Sequence, residues 1–146
     1  MLSPFKITTN IKPKKMNTSP NKQIAQKFAT LVWGKRDIEA ASALLHEDMT
    51  YIGPRVTVQG KTNYVELIKG YMSVLSESNF RIIDMIGEND KVLCHAEFTG
   101  VQSGPYGDIP ATNKKVRFQL MTIVRIQNGK IVSETEIFDE FGLMLE

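Results

Sequence analysis

Thiol and imidazole are scarce in this sequence: one cysteine, Cys94, and two histidines, His46 and His95, among 146 residues. A single thiol excludes an intramolecular disulfide framework and fits a reducing compartment, so a cytoplasmic protein is expected. Two histidines, one thiol and scattered carboxylates show no zinc spacing, and no Asp-rich loop has the pattern of a calcium site; no metal is expected. A Gly-x-Gly-x-x-Gly after a strand and a Walker sequence are both missing, so nucleotide cofactors lack their usual cradle, and no cofactor is expected. No run approaches eighteen apolar residues, which leaves no membrane span. Met1 to Thr18 also lacks the apolar stretch of a secretory signal.

Charge of one sign is missing from the body of the chain. The formal charge is +2, but Lys6, Lys12, Lys14 and Lys15 fall in the first twenty residues, which hold no acid, leaving 14 basic against 16 acidic residues elsewhere. Nucleic acid needs a basic face on a folded surface and is excluded as the main partner. Residues 1–19 read as a flexible basic tail. Residues 20–146 read as one domain, long enough to bury a single core.

What is present divides into a helical first half and a stranded second half. Ser19-Pro20 reads as an N-cap followed by proline at the first helical position, and Ile24, Phe28, Leu31 and Val32 share one face of a helix over Pro20 to Trp33. Asp37 caps a second helix, interrupted by His46-Glu47-Asp48. Short extended pieces follow at Met49–Ile52 and Val56–Gln59 around Gly53-Pro54. Asn63 and Glu66 form a capping box for a third helix whose apolar stripe runs from Tyr64 to Leu75. Strands are predicted at Phe80–Ile86, Val92–Val101 and Val116–Ile126, and Asn128-Gly129 demands a two-residue type I′ hairpin before a last strand. Ser103 to Asn113, rich in glycine and proline, reads as a shaped loop at a pocket rim. The order α-α-β-β-α-β-β-β-β predicts an α+β domain with helices gathered on one face of a curved antiparallel sheet. Phe118, Leu120, Met121, Ile123 and Val124 put apolar groups on both faces of one strand; a second copy packed sheet to sheet is the simplest cover for the outer face.

Val32-Trp33 closing helix one, His46-Glu-Asp48 before the first strand, Gly60 leading into helix three, Gly104-Pro105 with Ile109-Pro110-Ala-Thr112, and Asn128-Gly-Lys-Ile131 followed by Phe138-Asp139-Glu-Phe-Gly-Leu143 carry a resemblance. In this order they resemble the SnoaL-like polyketide cyclase or ester cyclase family, within the nuclear-transport-factor-2-like superfamily. The resemblance implies a cone-shaped α+β barrel with a pocket between bent sheet and helices, commonly in a homodimer. It also implies an aspartate, matched here by Asp139, acting as acid and base without metal or organic cofactor. Family members often carry His-Trp where this chain has Glu134-Thr135, and arginine where it has His95.

Asp139, His95 and Tyr51 are therefore the expected catalytic set, with Phe28, Trp33, Tyr64, Gln119 and Tyr106 lining a site for a small apolar molecule. Glu134 and Glu136 share one strand face and are expected as surface carboxylates at a dimer edge. Cys94 is expected as a small buried hydrophobe, since a nucleophile needs a nearby base. Two functions stand open: a lyase or isomerase acting on a carbonyl compound with Asp139 inside a closed pocket, or a dimeric binding protein with Asp139 solvated and no convergent polar groups.

Overall fold

A computed structural model describes residues 19–140. Apart from Ser19, the expected basic tail lies outside the described residues, as do Gly142 and Leu143.

Helix α1 (Pro20–Ala29) is capped by Ser19, whose hydroxyl accepts the Lys22 amide at 3.3 Å. The expected helix to Trp33 does not continue as α: Thr30–Gly34 widens into a π turn, with Lys35 N donating to Thr30 O at 2.9 Å. Such a bulge turns the following side chains relative to a regular helix; here Val32 is buried and Trp33 reaches the interior. Asp37 caps the short α2 (Ile38–Ser42) as expected, accepting the Ala40 amide at 3.0 Å.

Strand β1 (Leu45–Ile52) begins four residues before the predicted start, so His46-Glu47-Asp48 belongs to the strand, around an irregularity between Leu45 and Thr50. β2 (Thr57–Gln59) follows. Helix α3 (Lys61–Val74) starts directly after Gly60, whose φ of 90° makes the abrupt turn. The expected capping box is therefore displaced: Asn63 sits inside the first turn and its amide donates back to Gln59 O at 3.0 Å. Leu75, placed on the helical stripe by its spacing, instead opens β3 (Leu75–Glu88).

The remaining strands are β4 (Lys91–Gln102), β5 (Lys115–Gln127) and β6 (Lys130–Phe138), with Asn128 at φ 51° and Gly129 at φ 75° in the predicted hairpin turn. They form one six-stranded sheet in the order β2-β1-β6-β5-β4-β3. The sheet is mixed: β1 and β6 pair in parallel, and every other neighbouring pair is antiparallel. Since β1 comes before α3 and β6 is the last strand in chain order, the sequence order alone does not reveal that these two lie side by side.

The larger core joins Phe28 and Val32 to Tyr51, Tyr64 and Ile68 over the inner face of the sheet. A smaller one gathers Cys94, Ala96, Phe98 and Leu120, with Trp33, Phe118 and Phe138 against it. Two cavities lie where these two cores meet.

Candidate active site

Strand alternation sorts the β5 side chains cleanly. Leu120, Thr122 and Val124 are buried beneath the helices, while Met121 and Ile123 are 50% and 46% exposed on the outer face. On β6 the register skips one residue: Ile131 pairs with Ile126 and Ser133 with Arg125, so Val132 is the extra residue of a bulge. A bulge exchanges the faces of all that follows. Glu134, Glu136 and Phe138 consequently join Ile131 on the inner face, opposite Val124, Thr122 and Leu120.

This overturns the expectation that Glu134 and Glu136 are surface carboxylates. Glu134 is 6% exposed, and both line a cavity of about 30 Å³ with Phe28, Trp33, Cys94 and Thr122. Glu136 also forms the polar end of a larger cavity of about 50 Å³, walled by Trp33, Tyr71, Phe98, Tyr106, Phe118 and Phe138. Among the described residues, no lysine, arginine or histidine lines either cavity.

Tyrosines supply the hydrogen bonds that the two carboxyls need so far from water. The Tyr64 hydroxyl donates to Glu134 Oε2, and the Tyr51 hydroxyl donates to Glu136 Oε1 at 3.2 Å. Tyr51 and Tyr64 stack with centroids 5.1 Å apart, and Phe28 continues the stack at 6.4 Å from Tyr64. Burial raises the Glu136 carboxyl from the ordinary 4.5 to about 8, with the charge of Glu134 adding to the effect and the Tyr51 bond opposing it. Glu134 is also raised by burial, against the pull of Tyr64 and Glu136. Burial likewise holds Tyr51, Tyr64 and Tyr71 above the ordinary phenol value, so they serve as donors. Burial, then Glu134, pushes the Cys94 thiol up to about 11, which keeps it protonated and unreactive.

Aromatic walls hold the larger cavity open. Trp33 meets Phe98 edge-on at 4.9 Å, Phe98 stacks on Phe118 at 5.3 Å, and Tyr106 meets Phe138 edge-on at 6.2 Å. At the rim, Tyr106 donates to Glu140 Oε1 at 2.6 Å, the same oxygen takes the Arg55 Nε–H at 2.8 Å, and the Arg55 guanidinium lies 5.6 Å above the Tyr106 ring. The rim loop is fixed from below by Gln102, a buried side chain that donates to Pro110 O at 3.2 Å and accepts from Thr112 at 2.8 Å. Gly104 sits so close to the Ser73 carbonyl that no Cβ fits there.

Of the expected residues, Phe28, Trp33 and Tyr106 line these cavities, and Tyr51 and Tyr64 lie behind them, bonded to Glu136 and Glu134. His95 and Gln119 do not: they bond each other at 2.9 Å from positions that alternate with the inward-facing Cys94, Ala96 and Leu120, and so belong to the outer face. Asp139 is exposed just past Phe138, with its amide donating to Gln119 O at 3.0 Å, and it is not among the residues lining either cavity. Sequence reading missed Glu136 as a cavity-lining carboxyl, Phe98 and Phe118 as walls, and Glu140 at the rim; Tyr71, read as core or pocket wall, lines the larger cavity. Among the described residues there is no cluster of potential metal ligands and no helix long and apolar enough to cross a membrane.

A curved sheet over three helices with a carboxylate-floored cavity defines an α+β pocket protein of the nuclear-transport-factor-2-like type. The SnoaL-like polyketide cyclase family profile matches residues 23–146, and the chain belongs to that family. Among solved structures, it is similar to a protein assigned as a SnoaL-like polyketide cyclase from Jannaschia sp. CCS1, with TM-score 0.81, 16% identity, and coverage of 92% of this chain and 95% of that one. It is also similar to TsrD from Streptomyces laurentii (TM-score 0.75, 23% identity, 84% and 91% covered). An LEH-like epoxide hydrolase from M. tuberculosis gives TM-score 0.68 at 14% identity, with 87% and 88% covered. These likenesses show the shared fold. No curated protein sequence matches the chain.

Proposed function

We propose that the chain is a cofactor-independent acid–base enzyme of the SnoaL-like type, acting on a small, largely apolar carbonyl compound, with Glu136 as the proton-transferring group. One observation carries this reading: a half-buried, inward-facing carboxyl on an aromatic-walled cavity, bonded to a tyrosine and with no cationic side chain among the described residues that line the cavity. A carboxyl raised to about 8 holds and releases a proton near neutral pH, as a group that must act as both acid and base requires. In its ionised form Glu136, held by Tyr51, takes a proton from a carbon flanked by carbonyls, while the cavity-lining Tyr71 hydroxyl donates to the developing enolate oxygen. The enolate carbon then bonds to a second carbonyl carbon of the same molecule, and protonated Glu136 returns its proton to the new alkoxide. Alternatively, Glu136 returns it to a different carbon of the enolate, which is an isomerisation.

The acid–base role expected of Asp139 thus passes to Glu136, and Tyr51 is retained as donor. A non-catalytic binding role is favoured by one feature, the exposed position of Asp139. Hydrogen–deuterium exchange at the acidic carbon of a panel of 1,3-dicarbonyl esters in D2O, followed by NMR, separates the two. Exchange that depends on Glu136 supports the enzyme; a panel member that binds yet exchanges no faster than in buffer supports the binding protein.

The same proposal includes a homodimer through the outer sheet face. Met121, Ile123 and Ile137, the last 71% exposed, lie on adjacent β5 and β6, and Met121 pairs directly with Ile137. Contiguous exposed apolar side chains of this kind favour a self-complementary partner.

A further inference from the structure

The two buried carboxyls are chemically alike and sit two residues apart on one strand, yet their surroundings differ. Glu134 lines only the smaller cavity and takes the Tyr64 hydroxyl; Glu136 opens on both cavities and takes the Tyr51 hydroxyl. We infer that Tyr64 is a positioning residue that keeps Glu134 as the fixed anion of the pair, so that Glu136 alone carries the exchangeable proton that faces the guest. This rests on the acid–base reading of the cavity and adds a division of labour to it.

Tyr64 is 4% exposed, and its single hydroxyl hydrogen is committed to Glu134. Donation to a carboxylate favours its charged form. Two carboxylates in a dry interior resist ionising together, so stabilising the anion at Glu134 leaves the remaining proton on Glu136. The titratable groups facing the pair are Tyr51 from β1, Tyr64 and Tyr71 from α3, and Cys94 from β4. The cavity-lining residues from α1 and β5, among them Phe28, Thr122 and Val124, bring no ionisable group. Among the described residues that line the cavities, no cation reverses the order. Tyr51 is the weaker director because its hydroxyl also interacts with Tyr71.

The test is a carbon-13 NMR titration of the glutamate carboxyls in the full chain, with E134Q and E136Q used for assignment. Glu134 should ionise first and Glu136 last in the wild type. Y64F should move the two midpoints in opposite directions, Glu134 up and Glu136 down by about one pH unit, because the competition is rebalanced. Y51F should raise Glu136. A purely structural role for Tyr64 would shift both midpoints the same way or neither. Should Y64F fail to fold, 3-fluorotyrosine at position 64, a stronger donor, should widen the gap. The inference is overturned if the wild type protonates Glu134 last, or if the midpoints move together or stay fixed. Protonation is read without substrate, so an inactive protein with the expected titration would fail the enzyme reading and leave the assignment standing.

Discussion

Tyr51 lies beside Glu134 in the parallel register of β1 and β6, yet its hydroxyl reaches along the strand to bond Glu136 at 3.2 Å. The parallel pairing therefore links a phenol from the first strand to an acid from the last. That link depends on Gly53, where a Cβ would stand 2.6 Å from the Tyr51 hydroxyl.

Gly53→Ala should displace the Tyr51 hydroxyl from Glu136 and raise the Glu136 carboxyl further, since the bond that opposes its burial is lost. Tyr51→Phe should do the same and cost about 1–3 kcal/mol, the usual penalty for stripping a buried polar group of its partner. Urea denaturation and carboxyl titration of both variants check this.

Glu136 should make the fold pH-sensitive with a defined sign. In the unfolded chain it ionises above its ordinary 4.5; in the folded protein it keeps its proton to about 8. Between these values the unfolded state binds fewer protons, so stability is fully present at low pH and falls as pH rises. The slope approaches about 1.4 kcal/mol per pH unit, for a total loss of order a few kcal/mol by pH 8. Glu136→Gln should flatten the wild-type decline in urea-derived stability over this window.

Glu140 should govern entry more than stability. Arg55 is 55% exposed, so their ion pair contributes at most about 1 kcal/mol. However, Glu140 also holds Tyr106 over a cavity of about 50 Å³, far below the several hundred Å³ typical of drug-sized ligands. Glu140→Ala should leave the melting temperature within a few degrees of wild type while accelerating uptake of an apolar fluorophore, measured by stopped flow.

The outer face should set the oligomeric state. Met121→Glu combined with Ile137→Lys should convert a dimer to a monomer by light scattering, with secondary structure by circular dichroism unchanged. A wild type that is already monomeric at micromolar concentration would remove the dimer proposal.

Much of the fold was legible because it rests on local chemistry: Ser19-Pro20, Asp37 and Asn128-Gly129 each satisfy a specific backbone need that sequence spells out. The site was less so. In β6 the run from Ile131 to Phe138 alternates as if Ile131, Ser133, Thr135 and Ile137 shared a face, which sends Glu134 and Glu136 outward. The bulge at Val132 reverses that assignment, and no residue type in the run announces it. Long-range pairing hid the rest: Tyr51 meets Glu136 only because β1 and β6 become neighbours. His95 and Gln119, both expected at the cavity, instead bond each other on the face away from it. The π turn at Thr30–Gly34, which aims Trp33 inward, likewise leaves no signature in the apolar spacing of the first helix.

The most direct measurement compares Glu136→Gln with Asp139→Asn for deuterium exchange into a bound dicarbonyl ester across pH 5–9. The wild-type rate should rise with an apparent midpoint near 8, Asp139→Asn should follow the same curve, and Glu136→Gln should bind the ester but exchange at the buffer rate. Loss of exchange in Asp139→Asn with full exchange in Glu136→Gln would contradict the account.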